Sequence, residues 1–295
     1  MKTLLSIQLS FILLLLVLVL GVTGCPQQQQ SIENFGGLSA TFVSNAPPLN
    51  VIINQAFPIY VDINNLGDAN VNTNSAKFYL SGIGKNLEGV KASLSNTNLL
   101  DKGSSERLDF ASAAKSTLEL SNPFTLAMLL TSCYKYGGKA QADICIASSN
   151  SSKICSISGN KLNSNSAEPI QITSVTEEIS GSNLVVSFII SNKGTGEVYL
   201  PDSDCDKLQA RDINEVLKNG KVKVSIRTPE DFKCKVQSLV APYSTIETLE
   251  GASSLGTVSC EKSILGESDH QAPFQVVLDY VYVGSISQSL VITPS

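Results

Sequence analysis

The chain has 295 residues, of which 42% are hydrophobic and 16% are charged, with a net charge of -5, one histidine and no tryptophan. The mild acidic excess argues against nucleic-acid binding, which requires a basic face. A single histidine also narrows the options for acid–base catalysis. The length and apolar content allow one large domain or two medium ones.

The N-terminus consists of an almost wholly apolar run over residues 4–22 that ends in Val22-Thr23-Gly24-Cys25. Small residues before a cysteine at the end of such a run resemble a lipobox, in which the chain is cut before the cysteine and lipid is attached to it. We therefore predict a signal peptide or membrane anchor over 1–24, lipidation of Cys25 and a flexible tether over 25–36. An uncleaved anchor helix and plain secretion are the alternatives, and all three place the rest of the chain outside the cytoplasm.

The remainder of the chain shows mainly period-two patterns. In FPIYVDINN (57–65) and LVVSFIISN (184–192), apolar residues alternate with other residues between turn signals, which predicts half-buried strands. Helical signals are weak and short. Asp212 followed by INEVLK and then Asn219-Gly220 allows either two helical turns or a strand edge, and SERLDFASAAK (105–115) is a second possible short helix.

An internal repeat organises the chain into two halves. Asn65-Leu66-Gly67 matches Asn192-Lys193-Gly194, and each motif follows an alternating strand. Tyr134-Lys135-Tyr136-Gly137-Gly138 matches Tyr280-Val281-Tyr282-Val283-Gly284 near the end of each half. Each half is therefore predicted to open with a strand into an N-x-G turn and to close with an aromatic strand, a glycine turn and a final strand. The glycines are expected to supply positive φ where the chain reverses.

This organisation predicts an all-β protein with two tandem Ig-like β-sandwich domains after the N-terminal hydrophobic signal or anchor helix. The first domain is placed at 37–158 and the second at 169–295. The polar stretch 159–168 is the predicted linker, because it ends next to a proline, as linkers often do.

The six cysteines beyond Cys25 predict disulfides, because the chain is expected outside the cytoplasm. Cys133 and Cys145 flank the Gly137-Gly138 turn and would then face each other on paired strands, so we predict a Cys133–Cys145 bridge. Cys234–Cys260 is predicted within the second half, which leaves Cys155–Cys205 to join the two domains. A Cys145–Cys155 bridge is nearly as good, since only a short loop separates these residues. A zinc site is disfavoured because no C-x-x-C motif is present.

Three segments carry a resemblance to a known group of proteins. SCYKYGGKAQADICI (132–146) with Cys155, PIQITSVTEE (169–178) and FIISNKGTGEVY (188–199) together resemble uncharacterised secreted proteins of small archaea. That group has tandem Ig-like domains similar to cell-adhesion-related modules, with an N-terminal lipobox or signal anchor. The resemblance implies the fold and export, and it implies no activity. The linker departs from the group, because Glu168 stands where the group tends to have alanine.

Candidate chemical sites are few. Asp202-Ser203-Asp204-Cys205-Asp206 begins like a calcium loop, but no glycine follows at the turn position, so a solvated acidic loop is favoured. His270 lies in a polar turn without any nucleophile motif, which favours a surface histidine. The repeated tyrosines could form a sugar-binding face, although packing is the favoured interpretation. Asn150 begins a glycosylation sequon.

These observations predict a non-catalytic binding or structural module at the cell surface, held to the cytoplasmic membrane through its N-terminus by lipid or by a helix. Its expected partners are the membrane and a cell-surface protein or glycan, with no cofactor, metal or nucleic acid. Sandwich edges could add a strand from a partner. A pilus-like filament or sheath subunit and an accessory subunit of an envelope enzyme are the alternatives, and a retained N-terminal helix would favour the filament.

Overall fold

The computed structural model describes residues 36–149, 152–236, 239–243 and 255–295. The predicted anchor, residues 25–35 of the tether with Cys25, and Asn150 lie outside the described residues. The regular structure of the described chain is mostly β-strand. Its strands are β1 (Leu38–Phe42), β2 (Asn50–Ile52), β3 (Phe57–Asn65), β4 (Ala76–Ser81), β5 (Ser93–Ser95), β6 (Ser105–Ala114), β7 (Phe124–Ile146), β8 (Leu162–Asn165), β9 (Ile170–Ser180), β10 (Asn183–Asn192), β11 (Glu197–Tyr199), β12 (Lys223–Arg227), β13 (Lys233–Val236), β14 (Leu239–Tyr243), β15 (Leu255–Ser263) and β16 (His270–Thr293).

Two short helices interrupt the strands between β11 and β12. They are α1 (Cys205–Gln209) and α2 (Ile213–Val216). The N-cap residue before each helix is an aspartate, Asp204 for α1 and Asp212 for α2, whose side chain accepts hydrogen bonds from backbone N–H groups. Within the described ranges, neither helix has the length or apolar character to cross a bilayer. The helix considered after Asp212 is thus present as a single turn. The one considered over 105–115 is wrong, because these residues form β6 and pair with β3.

The strands form three sheets. One contains β1-β3-β6, the second contains β14-β13-β15-β10-β9, and the third is an eight-stranded sheet built on β11-β16-β7-β4-β5, to which β2, β8 and β12 add. Inward side chains of all three sheets merge into a single buried apolar cluster that includes Val61, Phe78, Leu130, Phe188 and Phe274. The prediction of an all-β, sandwich-type protein is confirmed at this level.

The two halves of the sequence share the eight-stranded sheet through β7 and β16. These strands lie antiparallel over their full length, from Phe124 opposite Ile292 to Ile146 opposite His270. The first part of β7 pairs on its other side with β4, and the first part of β16 pairs with β12. The second part of each long strand therefore completes the sheet beside the other half of the chain. The domain boundaries 37–158 and 169–295 stay a prediction. The two repeat units that they define contribute strands to one common sheet.

The repeated tyrosines mark the centre of this pairing. Tyr134 lies opposite Tyr282, and Tyr136 lies opposite Tyr280. Because Tyr134 corresponds to Tyr280 and Tyr136 to Tyr282 in the repeat, a pseudo-two-fold axis passes between Lys135 and Val281. All four tyrosine rings are buried, and their centroids lie 5.5 to 6.5 Å apart in tilted or edge-to-face pairs. The packing interpretation of the tyrosines is thus confirmed.

The predicted glycine turns within the aromatic motifs are wrong. Gly137 and Gly138 lie inside β7, and Gly284 lies inside β16, none with positive φ. A Cβ atom on Gly138 would lie 3.1 Å from Cγ of Glu168, so this glycine makes room for the segment that joins the halves. Close approach of another chain segment, a second common reason for glycine in a strand, accounts for Gly138.

The disulfide prediction is correct for one bridge of three. The structure joins Cys234 to Cys260, as predicted, and it also joins Cys133 to Cys205 and Cys145 to Cys155. The predicted Cys133–Cys145 bridge is wrong because β7 runs straight through Gly137-Gly138, which places Val283 opposite Cys133 and Gln271 opposite Cys145. The predicted Cys155–Cys205 bridge is consequently wrong too, and the alternative Cys145–Cys155 pairing is the one found.

Candidate functional site

The outer face of the eight-stranded sheet carries a segment that has no counterpart in the first half. Residues 200–219, here called the helical cap, contain α1 and α2 and lie over β4, β7 and β16. Beneath the cap, Tyr79, Cys133, Tyr199 and Val281 form a small buried cluster that is separate from the main core. The cap therefore packs on this face through apolar contacts of its own.

Covalent and polar bonds fasten the helical cap to the first half of the sequence. The Cys133–Cys205 disulfide ties the start of α1 to β7. Asp206 accepts a hydrogen bond of 2.7 Å from the Tyr79 hydroxyl and forms an ion pair with Lys77, both on β4. The Lys77 ammonium and the Tyr79 hydroxyl lower the pKa of Asp206, and burial together with Asp206 raises the pKa of Tyr79. The cap is thus held at two neighbouring strands.

Within the helical cap, a buried glutamate connects the two helices. Glu215 accepts a bond of 3.1 Å from the Asp204 amide and lies 3.2 Å from the Lys218 ammonium. Lys218 also pairs with Asp202 at 3.0 Å, which lowers the pKa of that aspartate. The carboxylates considered as the start of a calcium loop are thus bound to the chain's own donors. Among the residues that the structure describes, no cluster of metal-ligating side chains is found.

A groove of about 790 Å³ lies between the helical cap and the sheet. Its lining mixes hydroxyl, amide and aliphatic side chains with two tyrosines, one arginine and one glutamate. It is formed by Tyr79, Ser81, Leu129, Thr131, Cys133, Thr195, Gly196, Glu197, Tyr199, Cys205, Leu208, Gln209, Arg211, Ile213, Val216, Asn219, Val283, Gly284 and Ser285. The groove has the size of a small-ligand or peptide site, and residues from both halves of the sequence contribute to it.

The two charged side chains in the groove differ in whether they have a bonding partner. Glu197 accepts a hydrogen bond from the Tyr199 hydroxyl. Arg211 joins α1 to α2 in a left-handed conformation with φ of 57°, and its guanidinium makes no ion pair or hydrogen bond with any residue that the structure describes. The groove therefore presents an available cation next to aliphatic side chains.

His270 and the other candidate residues lie away from this groove. The His270 ring contacts Glu230 through Nε2 at 3.0 Å and the Ser268 carbonyl through Nδ1 at 2.8 Å. These two acceptors raise the pKa of His270, and both ring nitrogens have partners other than a serine hydroxyl. Asp269 accepts a bond from the Ser148 amide. The surface interpretation of His270 agrees with this geometry.

The sequence analysis missed the groove and most of the residues that form it. The sequence did contain a feature that could have indicated the groove. The stretch between Val198 and Val222 has no equivalent in the first copy of the repeat. An insertion into one copy of a repeat indicates an added feature, but only the fold shows which strands it covers. The structure brings Cys133 and Cys205 to this site and leaves Cys145, Cys155, Cys234 and Cys260 elsewhere.

Comparison with known proteins assigns no family. No family model matches the chain, and no curated protein matches it. Among solved structures, the secreted serine protease VesC from Vibrio cholerae aligns with 11% identity and a TM-score of 0.20, over 82% of this chain and 49% of the protease chain. This chain thus spans about half the length of the protease, and a TM-score this low carries no argument about fold or activity.

Proposed function

We propose that this protein is a non-catalytic module that displays two disulfide-stabilised Ig-like units at the cell surface and binds a protein or envelope component. In this proposal each Ig-like unit contains strands of one half together with the final strand of the other half. The groove beneath the helical cap is the binding site, because it is concave, mixed in polarity and formed by an insertion present in only one repeat. This groove is the observation that carries the proposal.

A surface location is supported by the disulfides. Three bridges within one chain are typical of proteins that fold in an oxidising compartment. The apolar run before Cys25 belongs to the same proposal as a membrane attachment. The intact mass of the membrane-extracted protein tests this attachment. A mature chain that begins at Cys25 with added lipid, lost in Cys25→Ser, supports a lipoprotein, whereas a mass that includes residues 1–24 supports a retained helix.

Binding through the groove is tested by photo-crosslinking in cells that produce the full chain. A photoreactive residue replaces Leu129, which is 42% exposed at the groove, and in a control chain it replaces Leu265, which is 76% exposed elsewhere. The proposal expects a defined adduct from position 129 that the control does not form. Identical adduct patterns from both positions, or no adduct at position 129, would show that the groove is not a binding site.

A further inference from the structure

The groove exposes aliphatic side chains on both of its sides, which is unusual for a surface that faces only water. Leu129 projects from the sheet, and the Ile213 and Val216 side chains on α2 are 65% and 38% exposed. Leu217, which follows α2, is also 65% exposed. Clustered exposed aliphatic groups around a concavity indicate contact with another protein more than with solvent.

The side chains that line the groove favour a peptide over a sugar as its ligand. Sugar rings commonly stack on exposed aromatic faces, but the Tyr79 and Tyr199 side chains are buried, with 8% and 6% exposure. The groove contains serine and threonine hydroxyls at Ser81, Thr131 and Ser285, which can exchange hydrogen bonds with the backbone of an extended chain. Aliphatic sides and a hydroxyl-bearing lining therefore fit a polypeptide segment better than a glycan.

Charge complementarity specifies the segment further. The carboxylate of Glu197 in the lining and that of Asp206 beside it already accept hydrogen bonds from tyrosine hydroxyls, whereas Arg211 has no partner among the described residues. A guanidinium next to apolar surface pairs well with a carboxylate, because its planar donors match both oxygens.

We propose that the groove binds a short segment of another protein that carries aliphatic side chains and a carboxylate, which pairs with Arg211. This inference rests on the proposed function, since it names the class of ligand for the same groove. The aliphatic side chains of the segment contact Leu129, Ile213 and Val216.

The test uses a displayed library of random heptapeptides, selected on the full detergent-solubilised chain. Parallel selections use Leu129→Lys, which places a charge in the groove, and Leu265→Lys, an equally drastic change of an exposed leucine outside it. We expect the unaltered chain and Leu265→Lys to enrich the same peptides, with aliphatic residues and one Asp or Glu. Leu129→Lys is expected to weaken binding of the synthesised peptides at least tenfold, measured by fluorescence anisotropy.

A double-mutant cycle tests the role of Arg211. Replacing the peptide's carboxylate with its amide should weaken binding to the unaltered chain about threefold to fivefold, as expected for an exposed ion pair. The same replacement should have no effect on Arg211→Gln, and Arg227→Gln, an exposed arginine on β12, should behave like the unaltered chain.

Several results would overturn the inference, and they distinguish its failure from the failure of the proposed function. If the enriched peptides lack acidic residues, or if the double-mutant cycle shows no coupling between Arg211 and the peptide carboxylate, the proposed carboxylate contact is wrong. If neutral oligosaccharides bind the chain and Leu129→Lys weakens that binding, the ligand is a glycan and not a peptide. The groove would still be the binding site. A library that enriches nothing, or nothing that Leu129→Lys affects, would rule out a peptide ligand, and the crosslinking experiment would then decide whether the groove binds anything.

Discussion

At the scale of single residues, the centre of the molecule depends on a few polar groups packed beside the repeated tyrosines. Glu168 is fully buried, and its Oε1 accepts bonds from the amides of Asp68 and Ala69 at 3.1 and 3.2 Å. Its Oε2 has no hydrogen-bond partner, a situation that disfavours the charged carboxylate. Burial raises the pKa of Glu168 to about 7. A residue of the predicted linker thus joins the second half to the N-x-G turn of the first.

Glu168 makes the stability of the protein dependent on pH. Its folded pKa of about 7 lies above the ordinary value of 4.5, so the folded state favours the protonated form of Glu168. The contribution of this protonated side chain to the free energy of unfolding is complete below pH 4.5 and is lost as the pH rises to 7. Between those limits we expect the native chain to lose about 3 kcal/mol relative to Glu168→Gln, which does not titrate. Urea unfolding of both chains between pH 4.5 and 8 measures the difference. Parallel stability curves would contradict the prediction.

The N-x-G turns use glycine for space in both copies of the repeat. A Cβ atom would lie 2.2 Å from the Tyr136 hydroxyl oxygen at Gly67 and 2.1 Å from the Tyr282 hydroxyl oxygen at Gly194, and neither glycine has positive φ. The asparagines of both motifs bond alike, since Asn65 and Asn192 each donate to a carbonyl four residues on and accept from the glycine amide. The repeat therefore preserves a glycine–tyrosine contact.

Gly194→Ala is expected to destabilise the protein by about 1–3 kcal/mol, because the added methyl group meets the Tyr282 hydroxyl. In a Tyr282→Phe background the same substitution should cost clearly less, since the clashing oxygen is gone. Tyr282→Phe alone should cost about 1 kcal/mol through the lost 2.7 Å bond from the Gly196 amide. Thermal or urea unfolding of the four chains measures the coupling, and additive effects would show that the close contact is not the cause.

At the scale of elements, β6 and the helical cap show how neighbouring structure decides local conformation. The 105–115 stretch has helix-forming residues, yet it forms β6 because Leu108 and Phe110 fill the core and Arg107 pairs with Asp62 on β3 at 2.7 Å. The helical cap has only two short helices, which cannot persist alone in water. Its position therefore depends on the bonds to β4 and β7.

Removal of the Cys133–Cys205 bridge should loosen the helical cap. Closing a loop of 72 residues contributes about 4 kcal/mol by chain entropy, so Cys133→Ser with Cys205→Ser should lower the free energy of unfolding by about that amount. Hydrogen exchange should rise most in residues 200–219. The matched control is Cys145→Ser with Cys155→Ser, which opens a loop of 10 residues and should cost about 3 kcal/mol without affecting the cap. Unchanged exchange in the cap would show that Asp206 and the apolar contacts suffice.

At the scale of the whole molecule, the two halves are interdependent because each supplies a strand beside the other. β7 and β16 pair along 23 residues of each strand, and the tyrosines are packed at the centre of the pairing. If β7 and β16 had each folded back into a separate hairpin, as the glycine turns predicted, the two halves would not share a sheet. The observed pairing makes the eight-stranded sheet continuous through both halves.

Cleavage between the halves should therefore leave them associated. A site for a specific protease, inserted after the exposed Gly159 in a chain that lacks the Cys133–Cys205 bridge, allows the cut without any remaining covalent link. We expect the two fragments to elute together in gel filtration and to separate only in urea. Fragments that separate under native conditions would show that the shared strands do not hold the halves together.

The sequence by itself determined the β class, the repeat and the paired N-x-G turns, because period-two patterning and turn residues act over a few neighbouring positions. Of the three disulfides predicted from the sequence, Cys234–Cys260 was the correct one. Only the tertiary structure decided that β7 and β16 run straight and pair with each other, from which the two other disulfides follow. An alternating pattern specifies which face of a strand is buried and leaves open which strand lies beside it. Packing of the tyrosines against distant glycines, and of Glu168 against a turn 100 residues away, made that choice.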